Sequence, residues 1–194
     1  MAPFRAVLMA IAATLALGTG PLAAQQVVNK PVYFPHTKSY FELVKIAPNA
    51  PIRSGAGVIE WQEAKALAER RSHRGARGRL AVIKDDETNA FLRTTFKPEE
   101  EAWIGLRYWC AFGKLQWVTG DEHPLTAYAN WDVIWNRNAV HRNEGNGQNP
   151  CPRDVRGAYL GVHYWAVNEG FYWNAHQSPK KFPLFFVEYP TGSE

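Results

Sequence analysis

The 194-residue chain lacks the features that mark membrane spans and several common enzyme classes. Its longest apolar run, Ala6–Leu17, has 12 residues, whereas a membrane-spanning helix needs about 20. It contains no His-Glu-x-x-His metal motif, no Gly-x-Ser-x-Gly nucleophile elbow and no glycine-rich phosphate loop. Its 6 histidines are scattered without the spacing of metal ligands. We therefore expect neither a membrane span nor an enzyme.

The N-terminal segment has the layout of a secretory signal peptide. Met1–Arg5 is a short basic start, Ala6–Leu17 is apolar, and small residues lead to the pair Ala23-Ala24. We predict a signal peptide at residues 1–24, an N-terminal extension at 25–35, one domain at 36–190 and a tail at 191–194. The mature protein is expected to be secreted or periplasmic.

Positive charge is in slight excess, and nothing in its distribution indicates a nucleic-acid partner. The chain has 22 basic and 18 acidic side chains, a net charge of +4. The densest basic cluster is predicted at a helix end and in the following loop, at Arg70, Arg71, Arg74, Arg77 and Arg79. No aromatic residues interleave it, as stacking on single-stranded nucleic acid would require. We expect these arginines to be solvated and to complement the helix dipole, rather than to bind nucleic acid or an anionic glycan.

Residue periodicity predicts an α+β domain. Trp61, Ala64 and Ala68 recur at helical spacing and define one face of a helix. Helices are predicted at Ile59–Ser72 and from a cap at Asp85 or Asp86 to Phe96. Strands are predicted at Ser39–Ile46, Leu80–Ile83, Ala102–Tyr108, Leu115–Val118, Ala158–Tyr164, Phe171–Trp173 and Leu184–Tyr189. Two helices on an irregular antiparallel sheet are the expected arrangement.

A series of aromatic motifs in a fixed order is the most informative feature of the chain. After the helix that contains Trp61 come Trp103-Ile104-Gly105-Leu106, Trp117-Val118-Thr119-Gly120, Asn130-Trp131, Trp173-Asn174 and Phe185-Phe186-Val187-Glu188. In this order they resemble the C-type-lectin-like domain family, over roughly residues 36–190. The resemblance implies a C-type-lectin-like fold, with two helices on irregular antiparallel sheets and a long polar loop. Trp103, Trp117, Trp131 and Trp173 are expected in the core, because tryptophan buries a large area.

The two cysteines, Cys110 and Cys151, invite a disulfide, because an exported protein with an even cysteine count usually forms one. Two free buried thiols are the alternative. Family members usually carry two other bridges, and the matching positions here are Ala68 with Val187 and Ala158 with Ser178. The resemblance therefore implies that both family bridges are absent and that packing replaces the first.

The segment between Trp131 and Arg156 is the predicted binding loop. It is rich in asparagine, glycine and proline and has little periodicity. Loops longer than about 12–15 residues are uncommon in compact domains and are often functional. In the resembled family the long binding loop lies here, and a solvated insertion without a ligand is the alternative.

Calcium is not expected at this loop, because both family motifs for it are degenerate. Family members hold Ca²⁺ with Glu-Pro-Asn or Gln-Pro-Asp in the loop and with the Asn and Asp of Trp-Asn-Asp, which together supply hard oxygen ligands. Here the first motif reads Glu144-Gly145-Asn146 and the second Trp173-Asn174-Ala175. The chain thus resembles an exported, bacterial-type member without a cofactor. Glu144, Asn146 and Asn174 remain weak metal candidates.

Calcium-independent carbohydrate binding is the predicted function. Aromatic rings pack against the CH faces of sugars, and Asn and Arg side chains bind hydroxyl groups in fixed geometries. Of the tryptophans, Trp135 and Trp165 are expected to be exposed. The predicted carbohydrate contacts are Trp135, Asn136, Arg137, Asn138, Arg142, Asn143, Glu144, Asn146, Trp165 and Asn174. The partner is expected to be a glycan or surface polysaccharide. The alternative is a protein partner, since aromatic and Arg side chains also dominate protein interfaces.

Overall fold

The structure is a computed structural model that describes residues 25–27, 30–50, 53, 55–132, 145–146, 149–151, 156–165, 170–177 and 179–194. Two helices lie in these ranges, α1 at Trp61–Glu69 and α2 at Asp86–Phe96. The strands before α2 are β1 (Gln25–Val27), β2 (Val32–Phe34), β3 (Ser39–Ile46), β4 (Ser72–His73), β5 (Ala76–Arg77) and β6 (Arg79–Leu80). Those after it are β7 (Ala102–Trp109), β8 (Lys114–Trp117), β9 (Glu122–His123), β10 (Gly145–Asn146), β11 (Asn149–Pro150), β12 (Tyr159–Tyr164), β13 (Trp173–Gln177) and β14 (Leu184–Tyr189).

One large sheet dominates the described residues. Its central strand order is β1-β3-β14-β7-β12-β13, with β2 paired to β3, β6 to β14, and the ribbon β8-β9 to β7. The pairing is antiparallel except between β14 and β7, where Leu184 lies beside Ala102 and Phe185 beside Trp103 in parallel. The sheet is therefore mixed, which corrects the expectation of a purely antiparallel one. The α+β class is confirmed.

Each helix covers one face of this sheet. Along β14, Phe185 and Val187 pack in the same hydrophobic cluster as α1, whereas Leu184 and Phe186 pack with α2. Successive side chains of a strand point to opposite faces, so the two clusters lie on opposite sides of the sheet. Every residue of β14 is buried because both of its faces are covered.

Both predicted helices form, with small differences at their ends. The predicted face of α1 is buried at Trp61, Ala64 and Ala68. The helix ends at Glu69 rather than Ser72, because β4 and β5 form a hairpin from Ser72 onwards. Asp85 caps α2, accepting the backbone N–H of Thr88 at 2.7 Å.

Most predicted strands appear near their expected positions, and two do not. β6 spans Arg79–Leu80 and shares only Leu80 with the predicted strand Leu80–Ile83. The strand predicted at Phe171–Trp173 begins only at Trp173 and continues to Gln177, since Phe171 has a φ of +58°. A left-handed residue interrupts the extended backbone, so residues 171 and 172 form the turn before β13.

The Trp-Ile-Gly-Leu motif on β7 forms hydrogen bonds to the segment after β6 and to the residues before α1. Gly105 donates its N–H to the carbonyl of Ala81 at 2.8 Å, and a Cβ at residue 105 would lie only 2.7 Å from the carbonyl oxygen of Leu80. The flanking Trp103 donates its indole N–H to the carbonyl of Ile59 at 2.8 Å. Glycine is thus required because another backbone segment passes where a side chain would be.

Two buried carboxylates, Glu42 on β3 and Glu188 on β14, bind two of the clustered arginines. Arg71 approaches Glu42 at 2.6 Å, and Arg79 approaches Glu188 at 2.8 Å. The Tyr189 hydroxyl also donates to Glu42. Burial alone lowers the pKa of Arg71, but Glu42 and Tyr189 together raise it above its ordinary value. The expectation that all five arginines are solvated is therefore wrong for these two.

The absent family bridge is replaced by packing, as expected. Ala68 on α1 and Val187 on β14 are both fully buried in one hydrophobic cluster. The Arg71–Glu42 ion pair joins the chain just after α1 to β3, which lies next to β14. Small apolar side chains and a buried ion pair therefore hold together the elements that a disulfide would have joined.

Candidate carbohydrate-binding site

The long loop leaves the sheet at Asp132, where the backbone is held to β13. Asp132 donates its N–H to the carbonyl of Trp173 at 3.0 Å, and Trp173 donates its own to the carbonyl of Asn130 at 2.6 Å. The side-chain amide of Asn130 donates to the carbonyl of Phe171 at 3.1 Å. The Asn130-Trp131 and Trp173-Asn174 motifs therefore lie side by side and form the base of the loop.

A disulfide holds the loop near its other end. Cys110, just after β7, is bonded to Cys151, and their Cα atoms are 5.5 Å apart. Before Cys151, strands β10 and β11 pair with each other, with Asn146 opposite Asn149. The predicted bridge is thus present in the structure, and it ties the loop to the sheet.

Trp173 lies at the centre of an aromatic cluster beneath the loop base. The rings of Trp131, Trp117 and Tyr128 meet it edge to face at 5.5, 6.2 and 5.9 Å. Its indole N–H donates to the side-chain oxygen of Asn89 on α2 at 3.2 Å. The expected core position is confirmed for Trp173, and a half-buried position is found for Trp131. This cluster makes the loop base a rigid platform.

Two aromatic residues, Trp165 and Tyr172, lie at the end of the β12–β13 hairpin where β12 ends and β13 begins. Tyr164 pairs with Trp173, and the N–H of Trp165 donates to the carbonyl of Tyr172 at 2.7 Å. Trp165 and Tyr172 therefore leave the hairpin on the same face, opposite to the buried Tyr164 and Trp173. Tyr172 is 44% exposed, whereas Trp165 is half-buried. The prediction that Trp165 is exposed is correct only in part.

Imidazole rings support Trp165 from within the sheet face. His163 and His176 stack near it, with ring centroids 6.2 and 6.4 Å away. Burial, with a smaller effect of Lys180, lowers the pKa of His176 to about 4. Burial, with smaller effects of His176 and Lys180, lowers the pKa of His163 well below its ordinary value. Both rings are therefore uncharged at neutral pH. The face next to Trp165 therefore contains flat, neutral imidazole rings, with the Lys180 ammonium near both of them.

Most predicted loop contacts lie outside the described residues. These are Trp135, Asn136, Arg137, Asn138, Arg142, Asn143 and Glu144. Asn146 is described only as part of β10. Asn174 has no exposed surface, and its Oδ1 accepts the N–H of Ala175 at 2.8 Å, so the structure does not present this amide at the surface. Contacts from these residues to a ligand stay predictions.

The sequence interpretation missed Tyr172. Tyr172 falls within the predicted strand Phe171–Trp173, next to a core tryptophan. Alternation of residues alone does not reveal that the strand begins only after Tyr172. The signal that points to it is Gly170, whose φ is +79° and which, with Phe171 at +58°, forms the turn that presents Tyr172. A glycine two residues before an aromatic residue is a weak signal in a sequence.

Two positions of the family's calcium motifs, Asn174 and Ala175, lie among the described residues. The Asn174 oxygen is already engaged with the backbone, and Ala175 is buried without an oxygen side chain. Elsewhere, His36 Nε2 lies 3.0 Å from Asp85 Oδ2 and 4.0 Å from Glu87 Oε2. Since Asp85 caps α2, this group is explained by helix capping.

Neither of the two described helices is long and apolar enough to span a membrane.

Comparison with known proteins finds a match to one protein family over part of the chain. Residues 59–154 match the model of the Lectin C-type domain family. A 95-residue stretch is 37% identical to Halomucin from Haloquadratum walsbyi, covering 47% of this chain and 1% of Halomucin. The chain thus spans a very small part of that relative.

Solved structures share the fold. Human lithostathine has a TM-score of 0.53 at 16% identity, covering 90% of this chain and 98% of that one. The cow C-type carbohydrate-recognition domain of CD23, solved in the presence of GlcNAc2Man3 oligosaccharide, has a TM-score of 0.53 at 20% identity, covering 81% and 91%. The carbohydrate-recognition domain of the human scavenger receptor C-type lectin has a TM-score of 0.51 at 18% identity, covering 82% and 97%. The predicted resemblance to the C-type-lectin-like family is confirmed.

Proposed function

We propose that this chain, which has a C-type-lectin-like domain, is an exported, non-catalytic carbohydrate-binding protein. Its site is formed by the long loop and by the hairpin end that carries Trp165 and Tyr172. The observation that carries the proposal is the position of these two rings on one face of β12–β13, beside the loop base. Loops held by a rigid scaffold are common binding elements.

The chemistry of this face suits a sugar. The exposed Tyr172 ring offers a stacking surface, and its hydroxyl offers a hydrogen bond at the rim. Trp165 adds a second ring whose orientation is held by the backbone bond to Tyr172 and by the histidine rings. The rings of this face are uncharged and suit the apolar faces of a sugar. The predicted Asn and Arg contacts of the loop would bind its hydroxyl groups.

Binding is proposed to be calcium-independent. A sugar bound through Ca²⁺ needs several oxygen ligands that remain free for the ion. Asn174 uses its oxygen on the backbone, and Ala175 supplies none. Ring stacking and direct hydrogen bonds then account for affinity. The signal peptide predicted at residues 1–24 and the disulfide both accord with an oxidising, extracytoplasmic location.

The test is a glycan array probed with the full chain, with and without EDTA, followed by calorimetry on each hit. Binding is expected to survive EDTA. Tyr172→Ala, Trp165→Ala and Trp135→Ala are each expected to cost about 1–3 kcal/mol of binding free energy, the size known for bases stacked on aromatic side chains. Tyr33→Ala, which removes a half-buried ring from β2, is the matched control and should bind normally.

Two results would contradict the proposal. The first is an array without hits while a purified protein partner is lost on Tyr172→Ala and Trp135→Ala, which would make the chain a protein-binding module. The second is saccharide binding that all three variants leave unchanged. Thermal melting of each variant separates lost binding from lost folding.

A further inference from the structure

The β7–β8–β9 ribbon carries a cavity of about 320 Å³ whose described lining includes none of the loop-base residues. Its lining consists of Trp109, Phe112, Lys114, Leu115, Gln116 and Glu122. Small-molecule sites in proteins typically occupy about 300–1,000 Å³ and combine rings with a few placed polar groups. The cavity has the size and the composition of a small-ligand site.

The ring of Trp109 is held in place by its neighbours. Its indole N–H donates to Gln116 Oε1 at 2.8 Å, and the Arg107 guanidinium lies 4.1 Å from its ring centroid. Arg107 also donates to the same Gln116 oxygen at 3.0 Å, and Gln116 Nε2 donates to the carbonyl of Gly120 at 2.9 Å. The hydrogen-bonding groups of Gln116 are thus used to fix Trp109, which lowers the entropy lost when a ligand packs on the ring.

Phe112 supplies a second ring that folding does not use. It is 72% exposed, on the turn that joins β7 to β8. The turn is ordered, since Gly113 donates its N–H to the carbonyl of Trp109 at 3.0 Å and the preceding Cys110 is bonded to Cys151. Phe112 is thus a large apolar ring held at the surface beside the cavity and available to a ligand.

The described lining residues carry no net charge, since Lys114 and Glu122 form an exposed ion pair at 2.9 Å and the others are uncharged. The Arg107 guanidinium next to the lining is engaged with Gln116 and with the Trp109 ring. The lining itself therefore suits a neutral ligand. The ammonium and carboxylate groups can instead donate to and accept from hydroxyl groups next to the rings.

We propose that this cavity is a second saccharide-binding site, which takes a neutral sugar between the Trp109 and Phe112 rings, with Lys114 and Glu122 bound to its hydroxyl groups. Gln116 is a positioning residue that acts through Trp109. The site is independent of the one proposed at the loop base, because it lies on a different pair of strands and uses none of the same residues. Two sites on one domain would let it bind repeated units of a polysaccharide.

The experiment follows the tryptophan indole signals of the full chain by ¹H–¹⁵N NMR during titration with neutral glucan, mannan, galactan and chitin oligosaccharides. The Trp109 signal is expected to shift with at least one of them. Phe112→Ala should weaken that binding tenfold or more without changing the melting temperature, because Phe112 is exposed. Gln116→Leu should weaken it too and move the Trp109 signal before any sugar is added. Tyr172→Ala should leave it unchanged.

The outcomes separate the two sites. Oligosaccharide binding that moves the Trp165 signal, is lost on Tyr172→Ala and never moves the Trp109 signal would overturn the second site and keep the proposed function. Binding that is reported only by the Trp109 signal, with no oligosaccharide whose binding Tyr172→Ala weakens, would overturn the proposed function alone. If no neutral oligosaccharide moves the Trp109 signal, or if only unstructured peptides do so, the saccharide assignment is wrong.

Discussion

The indole ring of Trp61 occupies the space beside Gly161 that any larger residue would need. A Cβ placed on Gly161 would lie 2.6 Å from the Trp61 side chain. Trp61 cannot easily move away, since its N–H donates to the carbonyl of Ile104 at 2.8 Å. This contact joins the start of α1 to β12 and sets the distance between helix and sheet.

Gly161→Ala is therefore expected to destabilise the fold by about 1–3 kcal/mol, the usual cost of overpacking a core. Chemical denaturation of the variant measures it. In a Trp61→Ala background the Cγ and Cδ1 atoms that crowd this position are removed, so the two changes should be less than additive. Full additivity would show that the contact is not the cause.

Loss of the Arg71 side chain should leave a buried charge on Glu42 and cost about 3–5 kcal/mol. The Glu42 side chain is only 2% exposed, and Arg71 approaches it at 2.6 Å. Arg71→Met retains much of the packing and tests the charge. The control is Lys84→Met, which breaks the exposed pair of Lys84 with Asp121 and should cost under about 1 kcal/mol. Equal costs for the two variants would refute the role of the buried pair.

The Cys110–Cys151 bridge is expected in the native exported protein and should be found as one crosslinked peptide by mass spectrometry. With the two cysteines 41 positions apart, the chain-entropy model gives the bridge about 4 kcal/mol of stabilisation. In the Cys110→Ala, Cys151→Ala double variant, the free energy of unfolding should be lower by about the same 4 kcal/mol, and the melting temperature should fall with it. Two thiols that react with an alkylating agent in the native protein would contradict this.

Stability should fall as the pH decreases from about 6.5 towards 4. Burial, with a smaller effect of Lys84, lowers the pKa of His123 to about 4, and His163 and His176 are lowered in the same direction. The unfolded chain takes up protons near pH 6.5, whereas the native chain takes them up only at lower pH. Each such histidine contributes at most about 1.4 kcal/mol per pH unit in this window.

His123→Phe tests this histidine effect. The His123 ring packs edge to face on Trp117 at 5.5 Å, so a phenyl ring can take its place. The free energy of unfolding, measured by denaturation at several pH values, should fall less steeply for the variant than for the wild type. Identical slopes would mean that His123 does not remain neutral in the native state.

Calcium is expected to change the melting temperature very little. An ion that bound only the native state would stabilise it by about 2.7 kcal/mol at a hundredfold excess over its Kd. Differential scanning fluorimetry in millimolar calcium and in EDTA measures the difference. A rise of several degrees that Glu144→Ala abolishes would show that the degenerate motif still binds the ion.

Local pattern and chemistry were sufficient for the fold and for part of the candidate site. The spacing of Trp61, Ala64 and Ala68 predicts the buried face of a helix whatever the helix packs against. A glycine between apolar residues, as at Gly105, indicates close approach of a second backbone segment. The order of the aromatic motifs predicts the C-type-lectin-like fold. These features depend on neighbours close in sequence or on motifs with a fixed order.

Contacts between distant residues decided the rest. No local pattern shows that Arg71 pairs with Glu42, 29 positions earlier, or that β14 runs parallel to β7. Whether Trp165 is covered and Tyr172 exposed depends on where β13 begins and on which rings stack beneath the hairpin. The composition of the chain determined that rings and amides were available for a sugar. Only the tertiary structure decided which rings remain at the surface, because burial depends on the packing of the whole chain.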